Sequence, residues 1–275
     1  MMAVANSASA DTFGLGSNQF TIDFVNIDNA GNAPDDNGRG GVGYAYRIGK
    51  YEVTNAQWEA FIATAGTPTG NPSYAYNLVS YFTGDQQPTN RLSWYEAAQF
   101  CNYLTSGNKS FGAYQLGTDG SIAVARTAAI STYGTVYVIP TESEWYKAAY
   151  FKPDGSGYSL YANGTNTAPS SSQARYSSYS APWNVGSGTQ EQNGTYDMMG
   201  NIREWNESLY RGFYVHRGGA YGDDLSFLAS SGRAYTDPSV EFEDHGFRVA
   251  SIPEPATILL FGAAIPLLLR RKRKA

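Results

Sequence analysis

A single cysteine limits what this chain can fold into. The 275 residues include one thiol, Cys101, and two histidines, His216 and His245. An intramolecular disulfide, zinc sites of the Cys₄ or Cys₂His₂ type and a three-histidine metal site are therefore excluded. Aromatic residues make up 15% and charged residues 16% of the chain, which also holds 30 glycines. This composition is typical of an extracellular, turn-rich globular fold, which without disulfides needs a large hydrophobic core.

The segment of residues 196–208, YDMMGNIREWNES, places two carboxylates on either side of a turn. Asp197 and Glu204 flank a Gly-Asn pair. Carboxylates and backbone carbonyls are hard oxygen ligands of the kind that calcium prefers. The alternative is a hairpin turn in which Asp197 accepts hydrogen bonds from nearby backbone N–H groups and the adjacent Trp205 is a core residue.

Three amphipathic segments predict helices. Their predicted N-caps are Thr54, Ser93 and Thr141, and the last two form capping boxes with a glutamate three residues later. Cys101 lies on the apolar face of the second helix and is interpreted as a buried core residue rather than a nucleophile. Alternating segments predict strands over residues 20–27, 46–53, 135–139 and 245–251, and residues 152–194 are interpreted as a long loop.

The C-terminus ends in an apolar run followed by a basic tail. Residues 256–269 are apolar, and residues 270–274 are all Arg or Lys. At about 1.5 Å per residue the run spans roughly 21 Å, short of the roughly 30 Å of a bilayer core. With Pro253-Glu254-Pro255 ahead of it, the order resembles the PEP-CTERM sorting signal of Gram-negative bacteria. The resemblance implies transient membrane anchoring, cleavage by an exosortase and delivery to the cell envelope or extracellular matrix. A plain C-terminal anchor is the alternative, with the same sidedness.

The predicted organisation is one domain between two processing segments. Residues 1–10 end in ANSASA and are interpreted as the remnant of a signal peptide, with an unstructured N-terminus as the alternative. Residues 11–251 are the predicted domain, and residues 252–275 are the sorting segment. The net charge is −5, and the basic cluster visible in the sequence is terminal. An acidic surface repels a phosphate backbone, so nucleic-acid binding is not expected.

Six segments, in order, resemble the formylglycine-generating enzyme (sulfatase-modifying factor) family. They are residues 48–61 (IGKYEVTNAQWEAF), 91–104 (RLSWYEAAQFCNYL), 139–149 (IPTESEWYKAA), 196–205 (YDMMGNIREW), 217–221 (RGGAY) and 246–250 (GFRVA). The resemblance covers about 200 residues. It implies a single compact α+β domain of the C-type-lectin-like kind, with little regular secondary structure.

The same resemblance implies structural calcium. Carried over residue by residue, one family calcium site falls on Asp197 and Glu204, with the carbonyls of Gly200 and Ile202. A second family site is expected within residues 174–188, where individual ligands cannot be assigned.

The chain departs from the family where the active enzymes bind copper through two cysteines. The corresponding positions hold Asp223 and Leu228, and an active-site serine of the family is replaced by Ala220. Thiolates select Cu(I), and neither Asp nor Leu replaces them. Copper binding and formylglycine generation are therefore not expected.

Two functions stay open. The first is a non-catalytic binding module of the cell surface or matrix, whose ligand is a polysaccharide or a protein. Tyr- and Asn-rich loops suit sugar binding. The predicted pocket, beside the loop of residues 152–194, is lined by Tyr221, Asp223, Asp224, Leu228 and Arg233. The second is an oxidative, metal-dependent tailoring enzyme of the same family without cysteine chemistry, in which His216 joins the two aspartates as a metal ligand.

Overall fold

Helices and short strands alternate along the chain in the computed structural model, which describes residues 9–253. Residues 1–8 and nearly all of the predicted sorting segment lie outside this range. The helices are α1 (Asn55–Ala65), α2 (Trp94–Ser106), α3 (Arg126–Tyr133), α4 (Glu142–Tyr150) and α5 (Leu225–Leu228). The strands are β1 (Ser9–Phe13), β2 (Phe20–Ile27), β3 (Tyr46–Gly49), β4 (Tyr114–Leu116), β5 (Ile122–Val124), β6 (Val136–Val138), β7 (Arg203–Tyr210), β8 (Phe213–Arg217), β9 (Ala234–Thr236), β10 (His245–Gly246) and β11 (Ala250–Ile252). Within residues 9–253, no helix is long and apolar enough to span a membrane.

The three predicted helices begin where their capping residues are. Thr54, Ser93 and Thr141 each accept a hydrogen bond from the backbone N–H three residues later, and the side chain at that position returns one, which completes three capping boxes. Such caps satisfy N–H groups that have no partner inside the helix. Cys101 in α2 is completely buried, as predicted.

The first sheet has five strands in the order β1-β2-β3-β11-β6, with neighbours antiparallel. Strand β2 has the predicted bounds, whereas β3 ends at Gly49, four residues earlier than predicted. Strand β1 was not predicted. It includes Ser9 and Ala10, which the sequence placed in the N-terminal segment, and it pairs along its full length with β2.

The second sheet has the order β10-β7-β8-β9. The predicted closing strand over residues 245–251 is wrong as a single element, because its two ends belong to different sheets. His245 and Gly246 pair with β7, while β11 joins the first sheet. Between them the chain crosses with Arg248 completely buried. A two-residue alternation of apolar side chains indicates extended backbone but not which sheet receives it.

The core lies where the helices meet the two sheets, and it is rich in aromatic rings. Trp94, Trp145 and Trp205 are all completely buried. Trp94 stacks on Tyr214 of β8 with ring centroids 4.2 Å apart. Residues 152–194 contain no helix or named strand, as predicted, and residues 106–134 contain β4, β5 and α3, which the sequence did not indicate.

Candidate functional site

The turn after β8 leads to Tyr221 and Asp223, two of the five predicted pocket residues. Gly218 and Gly219 have φ of +90° and +74°. A Cβ on Gly219 would lie 3.0 Å from the side chains of Phe227 and Leu228, so both the backbone and the packing favour glycine. Tyr221 follows this turn and is fixed by a 2.9 Å hydrogen bond from its N–H to the carbonyl of Asn201.

The long loop of residues 152–194 contacts this turn. The N–H of Ser177 donates to the carbonyl of Asp223 at 2.8 Å, and the N–H of Ser178 donates to the carbonyl of Tyr221 at 2.7 Å. The expectation that the loop lies beside Tyr221 and Asp223 is therefore met. Backbone pairing of this kind fixes a loop without secondary structure of its own.

Four aromatic side chains surround this junction. Ring centroids of Tyr81 and Phe82 lie 5.0 Å apart and those of Phe82 and Tyr221 5.4 Å apart, both edge to face. Tyr179, from the long loop, is 93% exposed, and a Cβ on Gly222 would lie 3.9 Å from its ring. We call Tyr81, Phe82, Tyr179 and Tyr221 the aromatic platform.

Asp223 lies beneath the platform and is engaged by an arginine. Its two carboxylate oxygens accept from Nε and Nη2 of Arg203 at 2.9 and 2.5 Å, and Oδ2 also accepts from the N–H of Ala220. Arg203 further donates to Asp244 at 2.5 Å. A bidentate pair of this kind orients both partners, so Asp223 holds the turn in place.

The remaining predicted pocket residues are not brought to the platform. Asp224 accepts from the N–H of Ser226 at 2.8 Å and caps α5. Leu228 is completely buried in the core. The guanidinium of Arg233 stacks 4.2 Å from the ring centroid of Tyr210 and pairs with Glu142. Of the five predicted residues, Tyr221 and Asp223 meet at the site. Tyr81 and Phe82 were not predicted, because their loop has no periodic pattern of apolar residues.

Two histidines lie close to this site. Their ring centroids are 4.4 Å apart, and Nδ1 of His245 lies 2.7 Å from Oδ1 of Asp244. Both rings are buried. Burial lowers the pKa of His216 well below its usual range, and the neighbouring His245 and Arg203 add to that effect. His216 therefore stays neutral at pH 7. It is a buried residue of the core, and His245 is buried as well and hydrogen-bonded to Asp244.

The predicted calcium ligands lie in a buried group of carboxylates, which we call the acidic cluster. Its members are Glu52, Glu191, Asp197 and Glu204, all at most 7% exposed. Arg248 binds Glu204 through Nε and Nη2, both at 2.6 Å, and Trp145 Nε1 adds a third donor at 2.8 Å.

Burial raises the pKa of three carboxyl groups in the acidic cluster. For Asp197 the pKa rises to about 6 and for Glu191 to about 8. The pKa of Glu52 rises well above its usual range through burial and the neighbouring charges of Asp197 and Glu204. Buried carboxyl groups with raised pKa values release their protons readily when a cation is bound beside them.

The acidic cluster offers carboxylate oxygens, the donor type that calcium prefers. Glu52, which the sequence did not single out, would add a carboxylate to Asp197. Glu204, in contrast, is already bound by Arg248. Within residues 9–253, no group of three or more His, Cys, Asp or Glu side chains converges closely enough to hold a metal by itself. Residues 174–188 carry no Asp or Glu. Calcium therefore stays a prediction here.

Thiol chemistry has little support in this fold. Burial raises the pKa of Cys101 well above its usual range, so its thiolate is scarce. A buried thiol of this kind is inert as a nucleophile.

Comparison with known proteins identifies the family and the fold of the domain. The sequence profile of the sulfatase-modifying factor enzyme 1-like domain matches residues 25–252. Among solved structures, CarF has a TM-score of 0.63 and 24% identity over 85% of this chain and 99% of that one. Treponema denticola variable protein 1 gives 0.60 and 23% over 90% and 99%. PvdO from Pseudomonas aeruginosa gives 0.57 and 17% over 88% and 97%. At these identities the likeness shows the fold, and it confirms the predicted α+β, C-type-lectin-like class.

A curated relative matches only part of the chain. Chaperone protein LppX of Paenibacillus barcinonensis is 28% identical over 185 residues, which cover 58% of this chain and 61% of that protein. The chain thus spans less than two thirds of this relative.

Proposed function

Because this chain belongs to the sulfatase-modifying factor enzyme 1-like family, we propose that it uses the family fold as a non-catalytic binding module. Its ligand would be a glycan that stacks on the aromatic platform. The observation that carries the proposal concerns Asp223 and Leu228, the residues that the sequence resemblance aligns with the family's copper-binding cysteines. Asp223 is held by Arg203, and Leu228 is completely buried. Neither side chain is available to hold copper or to react.

The platform itself supports recognition of a sugar. Tyr179 and Tyr81 are 93% and 63% exposed, so their rings are open to a ligand from solvent. Tyrosine offers a flat apolar face for stacking and a hydroxyl for hydrogen bonding. Arg91, 5.9 Å from the ring centroid of Tyr81, adds donors at the edge. The relative LppX is named a chaperone protein, and a chaperone acts by binding, which agrees with a binding role here.

We also propose that calcium stabilises the domain at Asp197, and that the sorting segment directs the protein through an exosortase to the envelope or matrix. The excess of carboxylates in the acidic cluster supports the first proposal. The residues of the sorting segment lie almost entirely outside the range that the structure describes.

Binding to a glycan array, with calcium and with chelator, tests the function. For any neutral glycan bound, Tyr179→Ala should weaken binding about tenfold, the loss of one stacked ring. The melting temperature should not change, since Tyr179 is almost fully exposed. Tyr133→Ala removes an exposed tyrosine from α3 and is the matched control.

Two results would overturn the proposal. One is an array without any bound glycan under either condition. The other is stoichiometric iron or copper in the purified protein, which would favour the oxidative tailoring enzyme.

A further inference from the structure

A second cluster of charged residues lies at the start of α4. Glu142 there contacts three arginines, each from a different segment of the chain. Its Oε1 lies 3.0 Å from Nε of Arg39, 2.5 Å from Nη2 of Arg217 and 2.8 Å from Nε of Arg233. We call these four residues the arginine cluster. The sequence alone shows no basic cluster within the domain, because the three arginines come from three separate segments.

The arginine cluster carries more positive than negative charge. Burial alone would raise the pKa of Glu142, but Arg217 and Arg233 outweigh it and hold the pKa below its usual range. Glu142 is thus ionised, with one negative charge against three positive ones. A further carboxylate near the cluster is that of Asp35, which accepts a hydrogen bond from the hydroxyl of Tyr146. Even with Asp35, the arginines are in excess, and the N-terminus of α4 adds partial positive charge.

The donors of these arginines also outnumber the acceptors. Arg217 is completely buried and donates to the carbonyls of Ser230 and Gly232 as well as to Glu142. The Nε of Arg233, although 2.8 Å from Oε1, is not aligned for a hydrogen bond and has no acceptor among the described residues. The side chains of Arg39 and Arg233 are 28% and 16% exposed, so both arginines lie at the edge of the surface.

Aromatic rings from the β7–β8 hairpin and β9 adjoin the arginine cluster. Arg233 lies 4.2 Å from the ring centroid of Tyr210, and Arg211 lies 5.4 Å from the same ring. The ring centroids of Tyr210 and Tyr235 are 4.8 Å apart. Tyr235 and Phe213 are each 41% exposed. Partly exposed rings therefore continue directly from the side chain of Arg233.

We propose that this face is a binding site for an acidic saccharide. A uronic-acid carboxylate would be held by Arg39 and Arg233, while a sugar ring stacks on Tyr235. A guanidinium presents two parallel donors that match a carboxylate, and a tyrosine ring matches the apolar face of a sugar. A nucleic acid is disfavoured because the net charge is −5, which repels an extended phosphate backbone. The site shares no residue with the aromatic platform and does not depend on the function proposed for it.

Titration calorimetry with a tetrasaccharide of alginate, a polymer of uronic acids, tests the proposal, with neutral maltotetraose beside it. Wild-type protein should bind the acidic sugar and not the neutral one at this site, and added salt should weaken the binding. Arg39→Gln should weaken it about tenfold, the size of one charge-assisted hydrogen bond. Arg39 is the most exposed arginine of the cluster, and an unchanged melting temperature would verify folding. Tyr235→Ala should weaken binding without changing the salt dependence.

Lys109→Gln is the charge-matched control, because Lys109 contacts Gly66 and Thr67 and not the arginine cluster. Tyr179→Ala should also leave alginate binding unchanged, which separates this site from the aromatic platform. The proposal is wrong if wild-type protein does not bind the alginate tetrasaccharide, or if Arg39→Gln binds it as tightly as Lys109→Gln does. Equal or tighter binding of a single-stranded oligonucleotide would likewise overturn it.

Discussion

Replacing Arg248 with Met should destabilise the domain more than any surface charge change. Arg248 is completely buried between the two sheets. It donates to both oxygens of Glu204, to the carbonyl of Gly49 at 3.0 Å and to that of Tyr196 at 2.9 Å. Methionine fills similar volume but donates nothing, so the change isolates the loss of charge and hydrogen bonds.

The expected loss in the free energy of unfolding follows from the buried groups that lose Arg248 as a partner. Removing one partner of a buried ion pair costs about 3–5 kcal/mol, because the other charge stays in a low dielectric. The carbonyls of Gly49 and Tyr196 would each lose a donor, at about 1–3 kcal/mol apiece when buried. Local relaxation around the substituted side chain offsets part of this sum. We expect a loss of at least about 4 kcal/mol, a large share of the roughly 5–15 kcal/mol of a typical domain.

Urea denaturation followed by circular dichroism measures this loss. Arg47→Met is the matched control: Arg47 pairs with Asp11 on the first sheet, where both side chains remain partly exposed. A pair of this kind contributes about 1 kcal/mol or less. Adding Glu204→Gln to Arg248→Met should recover stability, because it removes the orphaned charge. A loss below about 1 kcal/mol for Arg248→Met would show that the buried pair of Arg248 and Glu204 does not stabilise the domain.

Two further expectations concern the same cluster. If calcium is bound there, a chelator should lower the melting temperature, because a ligand of the folded state stabilises by mass action. Asp197→Ala should abolish that response, and an equal response in both proteins would exclude Asp197 as a ligand. In chelator, the pKa of Glu191 near 8 means that the folded state keeps a proton that the unfolded chain releases near pH 4.5. Stability should therefore fall as pH rises between these values, by at most about 1.4 kcal/mol per unit. Glu191→Gln should flatten this slope in urea titrations at several pH values, and an unchanged slope would count against the assignment.

Local signals in the sequence located the helices well because their causes are local. A capping box needs two side chains three residues apart, so Ser93 with Glu96 specifies the start of α2 without any tertiary contact. Strand β1 has no comparable signal. Its side chains alternate between exposed and half-buried, and its position depends on pairing with β2. The division of residues 245–251 between two sheets likewise depends on partners distant in sequence.

The same distinction explains which site residues were found. Tyr221 and Asp223 lie within a few residues of a recognisable motif, so they could be located by register. The register also pointed to Leu228 and Arg233, which the short helix α5 and the following turn carry away from the platform. Tyr81 and Phe82 enter from a loop about 140 residues earlier in the chain. The arginines around Glu142 likewise come from three different segments of the chain.

Asn201 connects the acidic cluster to the proposed binding surface. It is completely buried and has φ of +62°, a conformation that asparagine tolerates better than most residues. Its Nδ2 donates to Glu52 at 2.6 Å, and its Oδ1 accepts from the N–H of Trp183 in the long loop at 2.8 Å. Its carbonyl accepts from the N–H of Tyr221. One buried asparagine thus links two of the three segments of the platform, the long loop and the turn after β8, to the acidic cluster. Because these loops have no secondary structure of their own, the geometry of the platform depends on the acidic cluster. The motif of residues 196–205 therefore supports the proposed binding surface, and the residues proposed to contact a ligand lie in the loops that the motif holds in place.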